Sequence, residues 1–149
     1  MQILIDADAC PVKEETYRVA ARYRVPVVVV SNSIIRIPPD PLVTRKVVSD
    51  AFDAADDWIV EQAGPRSVVI TGDILLADRC LKLGATVIAH TGKPFTDASI
   101  GSAIATRAIM ADLRANGDAV GGPPAFSKTD RSRFLSALDL AVGKLVRAG

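Results

Sequence analysis

Runs of apolar residues divided by short polar joints set the plan of this chain. Ile3-Leu4-Ile5 reads as a short buried strand, and Pro11 with Glu14 and Glu15 opens a helix over residues 11–24. Val25-Pro-Val-Val-Val-Val30 is too β-branched for a helix and predicts a second strand, with Ser31-Asn32 at its carboxyl end. Ile34–Ile37 predicts a short edge strand, closed by Pro38-Pro39-Asp40-Pro41, a stretch that cannot be helical. Residues 42–48 predict another strand or an extended connection. A helix over residues 50–63 stops at Gly64-Pro65, followed by a strand over 67–71, a helix over 72–83 and a strand over 85–89. Beyond residue 96 comes a long helix over 97–115, with Ile100, Ile104, Ala108 and Ala111 on one stripe. An irregular Gly- and Pro-rich loop covers 116–126, and a last helix over about 128–147 aligns Phe134, Leu138, Ala141, Val142 and Leu145. Strand and helix alternate with short joints. That predicts an α/β three-layer sandwich with a mainly parallel sheet, both C-terminal helices packed back on it, in one domain over 1–149.

Composition narrows the function classes. At 149 residues, 49% hydrophobic and 23% charged, the chain can build a real core and is too apolar for disorder. Aromatics make up only 5%, which argues against a stacking platform for single strands, since that needs several exposed rings. A net charge of +1 announces no polyanionic partner. The distribution is less even: residues 1–100 carry 11 Lys and Arg against 13 Asp and Glu, and residues 101–149 carry 7 against 4. An acidic centre beside a positive rim gives such counts, and so do solvated helix faces. Cys10 and Cys80 show no paired spacing, no apolar run reaches membrane length, and no leader is expected. The expectation is a cytoplasmic protein with free thiols and no membrane partner, for which a homo-oligomer is open.

The candidate chemistry is carboxylate chemistry. Asp6 and Asp8 fall where the first strand stops and the first helix has not begun, the place where open parallel sheets bind ligands. Asp8 or Cys10 could instead cap the helix, with Asp6 merely ending the strand. Asp53, Asp56 and Asp57 stand at i, i+3 and i+4, on one side of a helix, where a solvated helix start is the plainer alternative. Asp73, in Thr71-Gly72-Asp73, is the counterpart of Asp6 at another strand's end and could equally cap the next helix. Asp78 fits a surface position as well as a ligand, and Asp97 fits a cap better than a ligand. If Asp6, Asp8, Asp56 or Asp57, and Asp73 converge, they need a cation to stay ionised. Oxygen donors without a His or Cys set select Mg²⁺ or Mn²⁺, which activates a water and steadies a phosphoryl group. Lys13, Asn32, Arg36, Arg107 and Arg131 are candidates for the rim that holds a phosphate backbone. His90 reads as a structural strand-end residue, Phe52 and Trp58 as core, and Cys10 as a thiol blunted by neighbouring carboxylates.

Asp6-Ala-Asp8-Ala-Cys10-Pro11-Val-Lys13, Asp53-Ala-Ala-Asp56-Asp57-Trp58-Ile59, Thr71-Gly72-Asp73, Gly121-Gly-Pro123 and Asp130-Arg131-Ser-Arg-Phe134 resemble the bacterial YaiI/YqxD family over essentially the whole chain. That family is grouped with PIN-like nuclease domains, so the resemblance implies a PIN-like fold with an acidic Mg²⁺/Mn²⁺ pocket that hydrolyses RNA. It implies Asp6 as the strand-one acid, Asp56 or Asp57 as the helical acid and Asp73 as the acid after Thr71-Gly72, with Asp78 and Asp97 competing for a fourth place. The leading expectation is therefore a metal-dependent nuclease for RNA or single-stranded nucleic acid, with metal on Asp6, Asp57 or its neighbour, and Asp73. A second reading is a haloacid-dehalogenase-like phosphatase. Asp6 would be its nucleophile, Asp8 its acid, Thr71 its hydroxyl, and Asp73 with Asp78 its metal motif. A third is a non-catalytic protein that binds RNA or a partner.

Overall fold

Ile3, Leu4 and Ile5 point alternately into two apolar layers, which is why the first strand reads as an unbroken hydrophobic run. The computed structural model describes residues 1–117 and 125–149, and the Gly121-Gly-Pro123 motif lies outside the described residues. Its strands are β1 (Gln2–Asp6), β2 (Val27–Ser31), β3 (Val43–Val47), β4 (Ser67–Ile70), β5 (Thr86–Ile88) and β6 (Pro94–Phe95). The helices are α1 (Lys13–Tyr23), α2 (Ala54–Gln62), α3 (Ile74–Leu81), α4 (Asp97–Ala115) and α5 (Lys128–Ala148). The sheet order is β3-β2-β1-β4-β5-β6, parallel from β3 through β5, with β6 antiparallel to β5. Strand order reverses at β1. From there the chain runs outward to β2 and β3, then returns to β4 on the other side. Connections on the two sides therefore leave in opposite directions and open a crevice at the carboxyl ends of β1 and β4.

One layer packs Ile3, Ile5, Val27 and Ile70 against Val19 of α1 and the i, i+4, i+8 stripe Phe134, Leu138 and Val142 of α5. The other packs Leu4, Val69 and Val87 against Ile59 of α2, Leu76 and Cys80 of α3, and Ile100 of α4. This is the expected three-layer α/β sandwich.

Several elements differ from the reading of the sequence. Ile34–Ile37 is not a strand: it belongs to the loop from β2 to β3, and β3 takes the edge that it would have used. Ile35 and Ile37 pack on the core from this loop, while Ile34 is 75% exposed. β6, two residues beginning with a proline, has no signature in the sequence. The second helix starts only at Ala54, because Asp53 adopts the left-handed conformation (φ 65°) and breaks the turn. Phe52, read as core, is 93% exposed in the turn before it. Finally, α4 is supported along only part of its length. Its 19 residues rise about 28 Å, whereas the eight residues of α3 beneath it supply about 12 Å. Ile100 is buried, Ile104 half-buried, and Ala108 and Ala111 are exposed.

Candidate active site

The crevice at the strand-order reversal is where the acids meet. Asp6 is the last residue of β1, and Thr71 and Asp73 directly follow β4, its neighbour in the sheet. Asp6, Asp73, Thr71, Gly72, Cys10 and His90 line one cavity of about 300 Å³. Thr71 is buried and ties the two acids together. Its hydroxyl donates to Asp6 Oδ2 at 2.8 Å and accepts from the Asp73 backbone N–H at 3.0 Å. Asp73 also caps α3 through Oδ1, which accepts from the N–H groups of Leu75 (2.9 Å) and Leu76 (3.2 Å). The capping reading of Asp73 thus holds, and it fixes the carboxylate beside the cavity.

Crowding of like charge leaves its mark. Burial pushes the Asp6 carboxyl up, the Thr71 hydrogen bond opposes this, and Asp73 and Asp8 add to it. Asp56, half-buried in the first turn of α2, is pushed up to about 6. Burial is the main cause, followed by the charges of Asp73, Asp6 and Asp53, with Arg79 opposing. Asp56 therefore shares the electrostatic field of the cavity. Asp57 turns away: it is exposed and pairs with Arg79 at 3.0 Å. The sequence could not separate these neighbours, since one residue on a helix is a rotation of about 100°.

Asp8 is exposed and accepts from the Asn32 backbone N–H at 3.1 Å, joining the 3₁₀ turn Ala7–Ala9 to the end of β2. Asn32 is exposed beside it. Lys13 folds back on that turn, donating to the carbonyls of Cys10 (2.8 Å) and Ala7 (3.4 Å). Arg131 donates to the carboxylate of buried Glu15 at 2.8 Å and to the Pro11 carbonyl at 3.2 Å, and lies over the Phe126 ring. Two cations expected at the rim are thus engaged in holding α1 and its entry turn. Arg107 is exposed on α4, where it lines a separate groove. Asp53 is exposed ahead of α2, Asp78 accepts from Lys82 at 2.9 Å on α3, and Asp97 is exposed at the start of α4. The α4 cap itself is Thr96, whose side chain accepts from the Ser99 N–H.

His90 is the residue that sequence reasoning assigned only a structural part. It follows β5, and a Cβ on Gly72 would stand 3.2 Å from its Cε1, so the ring closes one wall of the cavity. On its other side it packs against Phe126 with centroids 5.8 Å apart. The signal was its position: β1, β4 and β5 are adjacent parallel strands, and Asp6, Asp73 and His90 all stand at or just past their carboxyl ends. Cys10 lines the cavity with its thiol pushed up, mainly by burial and only secondarily by Asp6 and Glu15, so it is a poor nucleophile. Among the described residues, no set of three or more Asp, Glu, His or Cys side chains stands close enough to hold a metal by itself. No helix among them is long and apolar enough to cross a membrane.

The profile of a family described as "Uncharacterized BCR, YaiI/YqxD family" matches residues 4–144. A UPF0178 protein of Sphingopyxis alaskensis is 68% identical over 146 residues, which is 97% of this chain and 95% of its own length. A UPF0178 protein of Rhodopseudomonas palustris strain BisB18 is 54% identical over 147 residues, covering 99% and 95% of the two chains. A third, from Bradyrhizobium diazoefficiens, is 56% identical over 146 residues, covering 98% and 87%. No solved structure matches this chain significantly.

Proposed function

This chain belongs to the YaiI/YqxD family, and from the cavity that its fold builds we propose a divalent-metal-dependent phosphodiesterase for single-stranded nucleic acid, foremost RNA. One observation carries the reading. Asp6 and Asp73 come from adjacent strand ends, at the strand-order reversal, and are bridged by a buried threonine hydroxyl with Asp56 in their field. A helix cap accounts for Asp73, but among the described residues no cap or ion pair accounts for a half-buried Asp6 or for Asp56 held near pKa 6. The resemblance of this acid pattern to PIN-like nucleases supports the same chemistry.

The donor set suits Mg²⁺ or Mn²⁺. It offers carboxylate oxygens, and Mg²⁺ uses only one or two protein carboxylates and keeps several waters, so a fixed three-residue cage is not required. Asp6 and Asp73 would hold the ion, and Asp56 would supply further negative charge from α2. Once bound, the ion would activate a water and neutralise charge on the phosphodiester. The chain's own groups do the positioning. Thr71 holds Asp6 in one orientation, the α3 cap holds Asp73, and Gly72 leaves room against the His90 ring. The phosphatase reading is less well supported, because Asp78 is not among the residues that line the cavity and instead accepts from Lys82 on α3.

The test is Mn²⁺-dependent cleavage of labelled single-stranded RNA and DNA, with a generic phosphomonoester alongside. Wild type should cleave the diester, and Asp6→Asn and Asp73→Asn should each lose about a hundredfold or more, the scale for removing one preorganised electrostatic group. Asp57→Asn should cleave like wild type. Monoester turnover with a phosphate trapped on Asp6, and no diester cleavage, would replace this reading with the phosphatase.

A further inference from the structure

Resting on the phosphodiesterase reading, we propose that a groove along α4 is the track that holds the phosphate backbone of the single strand beyond the acidic cavity. The groove, of about 470 Å³, starts at Ile74, the residue after the cavity's Asp73. It runs along one face of α4 through Ser102, Thr106, Arg107 and Arg114, with Lys93 contributed by the turn before β6. Three cations and three hydroxyls, those of Ser99, Ser102 and Thr106, line it, and no carboxylate does. Hydroxyl, guanidinium and ammonium donors with no carboxylate among them are the chemistry that takes phosphate oxygens.

Two further observations favour a polyanion over other occupants. Among the described residues, no ion pair engages Lys93, Arg107 or Arg114, whereas Lys82, Arg22, Arg79 and Arg131 are each committed to a carboxylate. Among the described residues the groove's cations are thus not held by a carboxylate, and what sets them apart from other unpaired cations is that all three line one groove. The second is geometric. Arg107 and Arg114 are seven residues apart, about 10 Å along the helix, so the track is a line of charge rather than a point. A line suits a polymer that carries one charge per nucleotide. The second half of α4, exposed among the described residues, extends past α3 as one wall of the groove.

The experiment is equilibrium binding of a labelled single-stranded RNA about a dozen nucleotides long, with chelator present so that no cleavage occurs, across a series of salt concentrations. The test variant combines Lys93→Gln, Arg107→Gln and Arg114→Gln, all at exposed positions. A control combines Arg18→Gln, Lys144→Gln and Arg147→Gln on the opposite layer, so both lose the same net charge. Each single-strand phosphate contact contributes about 0.7 to the slope of log K against log salt, so the groove variant should lose about 2 from that slope. The control should keep the wild-type slope. Equal losses in both variants, or none in either, would overturn the track. Groove-dependent binding without Mn²⁺-dependent cleavage would leave the track standing and remove the phosphodiesterase. Cleavage with unchanged binding would do the reverse.

Discussion

The unit on which the site depends is a single hydroxyl. Thr71 donates to Asp6 and accepts from the Asp73 N–H, so two acids from different strands share one fixed geometry. Asp56 is the acid whose charge costs most there, and the cost has a sign that can be measured. Its folded pKa, about 6, lies above its ordinary 3.8. Between those values the native state keeps a proton that the unfolded chain has released. That contribution to stability is fully present below about pH 3.8 and is lost as pH rises through 6. In chelator, Asp56→Asn should therefore melt above wild type at pH 7.5, and the difference should close as pH falls toward 4. Thermal melts of the pair across that range check this, and a gap that does not change with pH would contradict it. The distinction between Asp56 and Asp57 was beyond the sequence. Both occupy the first turn of α2, and which one comes within the field of Asp6 and Asp73 depends on where the left-handed Asp53 starts the helix.

At the level of elements, the β5–β6 turn is the joint that sets His90 against the cavity. Gly92 sits in it at φ +88°, and a Cβ there would stand 2.6 Å from the Arg133 backbone carbonyl carbon on α5. Backbone cannot yield as a side-chain tip can. Gly92→Ala should destabilise by about 2–4 kcal/mol, combining left-handed strain with the clash, and denaturant unfolding measures it. A change below about 0.5 kcal/mol, the usual range for surface substitutions, would show that the turn is free to move. Elements such as β1, β2 and β4 were legible because burial on both faces writes a continuous apolar run. β6 was not, since Pro94 and Phe95 make no pattern. Ile34–Ile37 misled for a physical reason: loop residues that pack on a core are as apolar as a strand. The α4 stripe misled differently. Periodicity reports which face is apolar, and it cannot report that α3 ends before α4 does.

At the level of the whole molecule, the candidate site follows from strand order. Placing β1 between β2 and β4 brings residues 6, 71 and 73 to one crevice, and β5 beside β4 adds His90. The candidate acids after β1 and β4 were legible in the sequence because parallel strands present their carboxyl ends together. Which of the candidate rim cations are engaged within the fold was not legible, because the partners of Lys13 and Arg131 lie across a turn or far along the chain. The central claim is that this crevice, rather than any other acidic patch, takes a divalent ion. Mn²⁺ binding followed by electron paramagnetic resonance at pH 7.5 tests it without reference to any substrate. Wild type and Asp57→Asn should show one saturable site of equal affinity, and Asp6→Asn and Asp73→Asn should each lose about tenfold or more, the scale for disturbing a metal's coordination. Unaltered binding in the Asp6 and Asp73 variants, or no saturable binding by wild type, would contradict the account.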